Sequence, residues 1–112
     1  MACRVVELFR LAAIEGDSGS GALTGDPATL LVFNPLAAVI WIRFGNGTPS
    51  SSSYDLACPG EAMLAWPIDG GTGNITAVVD YPGAVPAGDV GQEAIIRASE
   101  ATLSAFVGPL NA

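Results

Sequence analysis

A chain of 112 residues makes one domain with one modest core and leaves no room for an interdomain linker. Half of its residues are hydrophobic and 13% are charged, against roughly 25% for an ordinary soluble domain, so part of its surface is expected to be covered by neighbours. A net charge of −7, with four scattered arginines and neither lysine nor histidine, repels phosphate backbones and anionic lipid and argues against direct nucleic-acid binding as a main role.

The opening MACRVVELFRLAAIEG carries Glu7 and Arg10 inside what would have to be the apolar region of a signal peptide, so it reads as mature protein. From Cys3 to Ile14, Val5, Leu8, Phe9 and Ala12 fit a helical face, whereas Val6, Leu8 and Arg10 alternate as in a strand; a strand is the expectation. Gly16 to Pro27, GDSGSGALTGDP, has the composition of a long surface loop, a flexible Gly/Ser-rich arm (16–27) that reaches a neighbour.

Thr29 to Phe33 is a short β-prone run stopped by Asn34-Pro35. The longest apolar stretch, Leu30 to Ile42, is broken there and falls short of the roughly 20 residues of a spanning helix, so no membrane segment is expected. Val39 to Phe44, VIWIRF, is largely apolar on both faces, the pattern of a central strand. Gly45 to Ser53 reads as a turn and a flexible serine tract.

Tyr54 to Ala57 suits a brief edge strand, and Pro59-Gly60 a type II turn. Glu61 to Trp66 leaves that turn as a strand that Pro67 ends, and Ile75 to Asp80 is β-branched enough to be another. Between them lies the glycine-rich Asp69 to Asn74, and after them the Pro/Gly-rich Tyr81 to Gln92, expected to be irregular. Glu93 to Val107 reads either as an alanine-rich helix or as a hairpin turning at Ser99-Glu100; alternation of Ala101, Leu103, Ala105 and Val107 favours the hairpin. Seven or eight short strands then predict an all-β fold, a single antiparallel β-sandwich or jelly-roll-like domain over residues 1–112.

The chemistry on offer is thin. Without histidine there is no Ser-His-Asp or Cys-His dyad and no imidazole ligand. Asp55 with Glu61, and Asp69 with Asp80, flank turns and read as solvated acids rather than a catalytic pair. DGGTGN resembles a calcium loop but lacks the repeat that makes such loops specific, and no lysine exists to complete a phosphate cradle. Asn46-Gly47-Thr48 and Asn74-Ile75-Thr76 match the glycosylation acceptor pattern by chance. Cys3 and Cys58 permit one disulfide but read as free thiols, at least one of them buried. Trp41 and Trp66, with Tyr54 and Tyr81, offer either a sugar-stacking platform or core and interface residues, the more common role of strand tryptophans. No enzyme activity, metal or other cofactor is expected.

NPLAAVIWIRFGNG, then PGEAMLAWPI, then AIIRASEATLSAFVG, in this order, resembles the small accessory β-sandwich proteins of tailed bacteriophage heads. The resemblance covers residues 29 to 68 and 94 to 108 and rests on turn punctuation; the Gly/Ser arm and the insert Tyr81 to Gln92 depart from it. It implies a virion structural protein, most specifically a decoration or cement protein on the capsid exterior, assembled in the host cytoplasm, bound to the major capsid protein or other virion proteins and itself a homo-oligomer, with a trimer favoured. Another phage part, such as a head fibre base, connector or tail subunit, and a carbohydrate-binding β module are the rival expectations. The candidate subunit or capsid contacts are Val5, Leu8, Phe9, Leu11, Leu23, Trp41, Trp66, Phe106 and Leu110.

Overall fold

The computed structural model describes residues 3–23, 28–68 and 73–101. They form eight strands: β1 (Cys3–Ala12), β2 (Ser18–Leu23), β3 (Ala28–Asn34), β4 (Val39–Phe44), β5 (Leu56–Cys58), β6 (Ala62–Ile68), β7 (Gly73–Asp80) and β8 (Glu93–Ala101). Sheet A has the order β1-β8-β3-β6 and sheet B the order β2-β7-β4-β5, every pairing antiparallel. The first strand thus pairs with the last, the second with the seventh, the third with the sixth and the fourth with the fifth. The all-β sandwich expected from the strand count is what the chain forms.

Side chains alternate across a strand, so one parity of each strand lines the space between the sheets. Leu30 and Val32 of β3 and Ala94, Ile96 and Ala98 of β8 fill it from sheet A. Ile40 and Ile42 of β4 and Ile75, Ala77 and Val79 of β7 fill it from sheet B. Five large residues here, Leu30, Ile40, Ile42, Ile75 and Ile96, are 0% exposed, each worth about 1.5–3 kcal/mol of transfer free energy.

β1 explains its own ambiguous pattern. Its register against β8 shifts between Glu7 and Phe9, a bulge that lets consecutive Leu8 and Phe9 both pack on the core while Glu7 and Arg10 stay outside. An extra inward residue breaks strict alternation, which is why the sequence also fits a helical face.

Four expectations are corrected. Ser18–Leu23 is not arm or loop but a strand, β2, paired along its length with β7; residues 24–27 of the expected arm lie outside the described residues. Its serines at 18 and 20 face solvent and its glycines at 19 and 21 face inward, where a Cβ on Gly19 would stand 2.6 Å from Phe9 Cδ2. Glycine is there because an aromatic ring of the opposite sheet fills the space, a packing reason that composition conceals. Pro67 does not end β6, because β6 is an edge strand that tolerates a missing donor. Glu93–Ala101 is one strand, neither helix nor hairpin: Ser99 lies opposite Val5 and Thr29, so the supposed turn sits inside a ladder, and residues 102–107 of the expected second arm lie outside the described residues. The serine tract is ordered by mutual backbone bonds between Ser50 and Ser53 at 2.9 and 3.1 Å.

The connections that pass between sheets at one end of the sandwich, 13–17, 35–38, 59–61 and 81–92, are tied together by buried polar groups. Asn34, 1% exposed, donates from Nδ2 to Ala38 O (2.8 Å) and Pro59 O (2.9 Å) and accepts from Leu36 N (3.1 Å). Asp89, in the short 3-10 turn Ala87–Asp89, accepts at Oδ2 from Ala37 N (2.8 Å) and from the Tyr81 hydroxyl (2.9 Å). At the Pro59-Gly60 turn the left-handed residue is Glu61 (φ 56°); position 60 packs closely on backbone, where a Cβ would stand 3.1 Å from Leu36 O.

Candidate functional site

Two sheets have two outer faces, and the chain treats them differently. On sheet B, the segment 45–55 closes over Trp41: the Tyr54 ring lies 4.6 Å from it, centroid to centroid, tilted by 44°. The indole Nε1–H is donated to Asp80 Oδ2 at 2.8 Å. Asp55 holds this segment in place, its Oδ2 accepting from Phe44 N and its own N–H reaching Ile42 O, each at 2.8 Å. Trp41 is therefore engaged within the domain on one ring face and at its N–H.

The outer face of sheet A has no such cover among the described residues. Register places three rows of side chains across its four strands. Val5, Ser99, Thr29 and Pro67 form the first, Glu7, Arg97, Leu31 and Ala65 the second, Arg10, Ile95, Phe33 and Met63 the third. Residues of β3 and β6 make the apolar half, with Met63 78% and Phe33 41% exposed. A shallow depression lined by Val5, Leu31, Phe33, Met63, Ala65 and Ile95 crosses it, with Arg97 at its margin.

The β1 and β8 half is charged in alternation. Arg10 bridges two carboxylates, with Nη2 2.8 Å from Glu7 Oε1 and Nη1 3.3 Å from Glu93 Oε1. The hydrogen bond from Arg10 holds the Glu7 carboxyl below the usual carboxylate range, with a smaller contribution from the charge of Arg97. These groups are solvent-facing, so they shape the potential of the face more than they stabilise the fold. An apolar half bordered by both signs of charge, containing Met, Phe and Arg, has the make-up of a protein contact surface.

The expected contact residues divide accordingly. Val5 lies on this face, 54% exposed, and Trp66, 45% exposed, stands on the edge strand β6. Leu11 and Leu23, 0% and 3% exposed, belong to the domain's own core, and the partly buried Leu8 and Phe9 pack against it. Phe106 and Leu110 lie outside the described residues. Leu31, Phe33, Met63, Ala65 and Ile95 were not singled out from the sequence. The available signal was apolar residues at both parities of TLLVF, which marks a strand apolar on both faces.

The remaining candidate chemistry is dispersed. Among the described residues no group of three or more His, Cys, Asp or Glu is placed to hold a metal. Of the two carboxylate pairs, Asp55 accepts from Phe44 N and Asp80 from the Trp41 indole, and Asp69 lies outside the described residues. The two glycosylation-like asparagines meet, Asn74 Nδ2 donating to Asn46 Oδ1 at 2.6 Å. Cys58 is free and fully buried, and burial pushes its thiol up to about 11, far from a reactive thiolate at neutral pH. No protein-family model matches this sequence, and no curated protein and no solved structure is significantly similar to it.

Proposed function

We propose that this chain is a non-enzymatic structural protein of a virion, a decoration or cement protein of a tailed-phage head acting as a homo-oligomer, and that its sandwich is a jelly roll. The strand order β1-β8-β3-β6 over β2-β7-β4-β5 supports the jelly-roll reading: it is the order obtained when one long antiparallel hairpin, bent at the β4–β5 connection, is rolled into two sheets. The observation that carries the assembly role is the outer face of sheet A, apolar on β3 and β6 and solvent-facing in the single chain. Apolar burial at about 25 cal/mol per Å2, repeated over many copies, stabilises a shell without any catalytic group.

The test is binding to expanded capsids. Purified protein should co-sediment at a fixed stoichiometry and raise the temperature at which the capsids melt. Saturating protein that neither co-sediments nor shifts capsid melting would end the proposal. Glycan recognition is the weaker reading, because Trp41 has one ring face against Tyr54 and its N–H on Asp80.

A further inference from the structure

We propose that the outer face of sheet A is the contact surface between two copies of this chain, packed face to face about a two-fold axis. This inference rests on the assembly role proposed above and names the partner at that face.

Two of the chain's four arginines, Arg10 and Arg97, stand on this face with Glu7 and Glu93, so these side chains sum to zero in a chain of net −7. The net negative charge of the chain is therefore carried by residues other than these four. Here a second copy meets neutral apolar ground beside a strip that alternates in sign, and such a strip complements itself when inverted by a two-fold.

Lateral strand addition along β6 is blocked at Pro67, which has no N–H to give, so this side of the molecule pairs by its face rather than its edge. On the outer face of sheet B, Trp41 is already covered in part by the chain's own segment 45–55, through Tyr54. Sheet faces stack about 10 Å apart with interdigitating side chains, and Phe33, Met63 and Ile95 supply them here.

Area sets the strength. Four strands about 4.8 Å apart and seven residues long at about 3.3 Å each give a face on the order of 400 Å2, or roughly 800 Å2 over both copies. That lies below the roughly 1,200 Å2 of stable standard interfaces, so the pair should be weak and concentration-dependent.

Sedimentation equilibrium on the intact chain tests this. The weight-average mass should rise from one chain toward two between ~1 and ~300 µM, a micromolar dimer. Met63→Glu, at a side chain 78% exposed and so harmless to folding, should weaken the dimer by about 30-fold or more by burying a carboxylate in the contact. Ser20→Glu, on the solvent side of β2, should leave it unchanged. A photo-crosslinking residue at position 63 should join copies through β3 and β6, and circular dichroism confirms that each variant is folded. A monomer throughout the range, a trimeric mass, or dimerisation indifferent to Met63→Glu overturns the inference. A monomer that still binds capsids refutes the pairing alone; a dimer that ignores capsids refutes the capsid role alone.

Discussion

The ring of Phe9 occupies the place where a side chain at position 19 would stand: a Cβ on Gly19 would lie 2.6 Å from Cδ2 and 3.1 Å from Cε2. Gly21 is filled from the same strand, by Leu8 Cβ at 3.0 Å and Phe9 Cδ1 at 3.1 Å. The bulge in β1 and the glycines in β2 are therefore two halves of one joint between the sheets.

Gly19→Ala should destabilise the fold by about 1–3 kcal/mol, the cost of overpacking. Combined with Phe9→Leu, the loss should be smaller than the sum of the two single losses, because each change relieves the crowding the other creates or leaves. Urea denaturation of the four chains measures this. Strict additivity would show that Phe9 does not fill the glycine hollow.

Asn34 should be the most sensitive polar position. Asn34→Ala orphans Ala38 O, Pro59 O and Leu36 N and should cost about 2–4 kcal/mol. Asn34→Asp should cost more at pH 7, since a carboxylate would face two carbonyls. Its folded-state acid would then titrate above its unfolded value, so the defect should ease as pH falls through that range. Melting curves of both variants at pH 7 and pH 4 check the ordering and its reversal.

Alkali should unfold the protein through two groups. Burial raises Cys58 from 9.0 to about 11, and burial with the Asp89 hydrogen bond raises Tyr81 from 10.0 to about 12. Both keep their protons in the folded chain after the unfolded chain has lost them. Their stabilisation is complete below pH 9 and fades as pH rises through 9 to 12, with a slope approaching about 1.4 kcal/mol per pH unit for each group. Cys58→Ala should flatten the fall that begins near pH 9, and Tyr81→Phe the fall that begins near pH 10. Equal slopes in wild type and both variants would contradict the assignment.

Asp80→Ala should release the Trp41 indole N–H and cost about 1 kcal/mol, the worth of one ordinary hydrogen bond. Trp66, exposed on β6, should be untouched. Of the two tryptophan emission components, the one shielded from iodide in the wild type should become more quenchable in the variant. An unchanged quenching profile would place Trp41 elsewhere.

How much of this was legible depends on where the determining contact lies. β3, β4 and β7 announce themselves, because Leu30 with Val32, Ile40 with Ile42, and Ile75 with Val79 carry both β propensity and burial in a few adjacent residues. β2 does not. SGSGAL has the composition of a linker, and only the presence of Phe9, in the opposite sheet, turns its glycines into inward positions of a strand. Ser99-Glu100 looks like a turn for the same reason, since the partners Val5 and Arg4 that hold it in a ladder are far away in sequence. The contact face was hidden by its construction: Phe33, Met63 and Ile95 come from three strands, and register alone sets them in one row.

β8 lies between β1 and β3, although it is the last of the described strands in chain order. During synthesis, then, β1 waits for its partner until β8 has left the ribosome, and sheet A cannot form piecemeal from β1 and β3 alone. Folding must be a late, nearly all-or-none event dominated by distant pairings, slow by the standards of small domains. A product cut short before Glu93 would leave Val32 and Leu11 without Ile96 and Ala94 opposite them, and should be cleared as unfolded chain rather than compete for a place in any assembly.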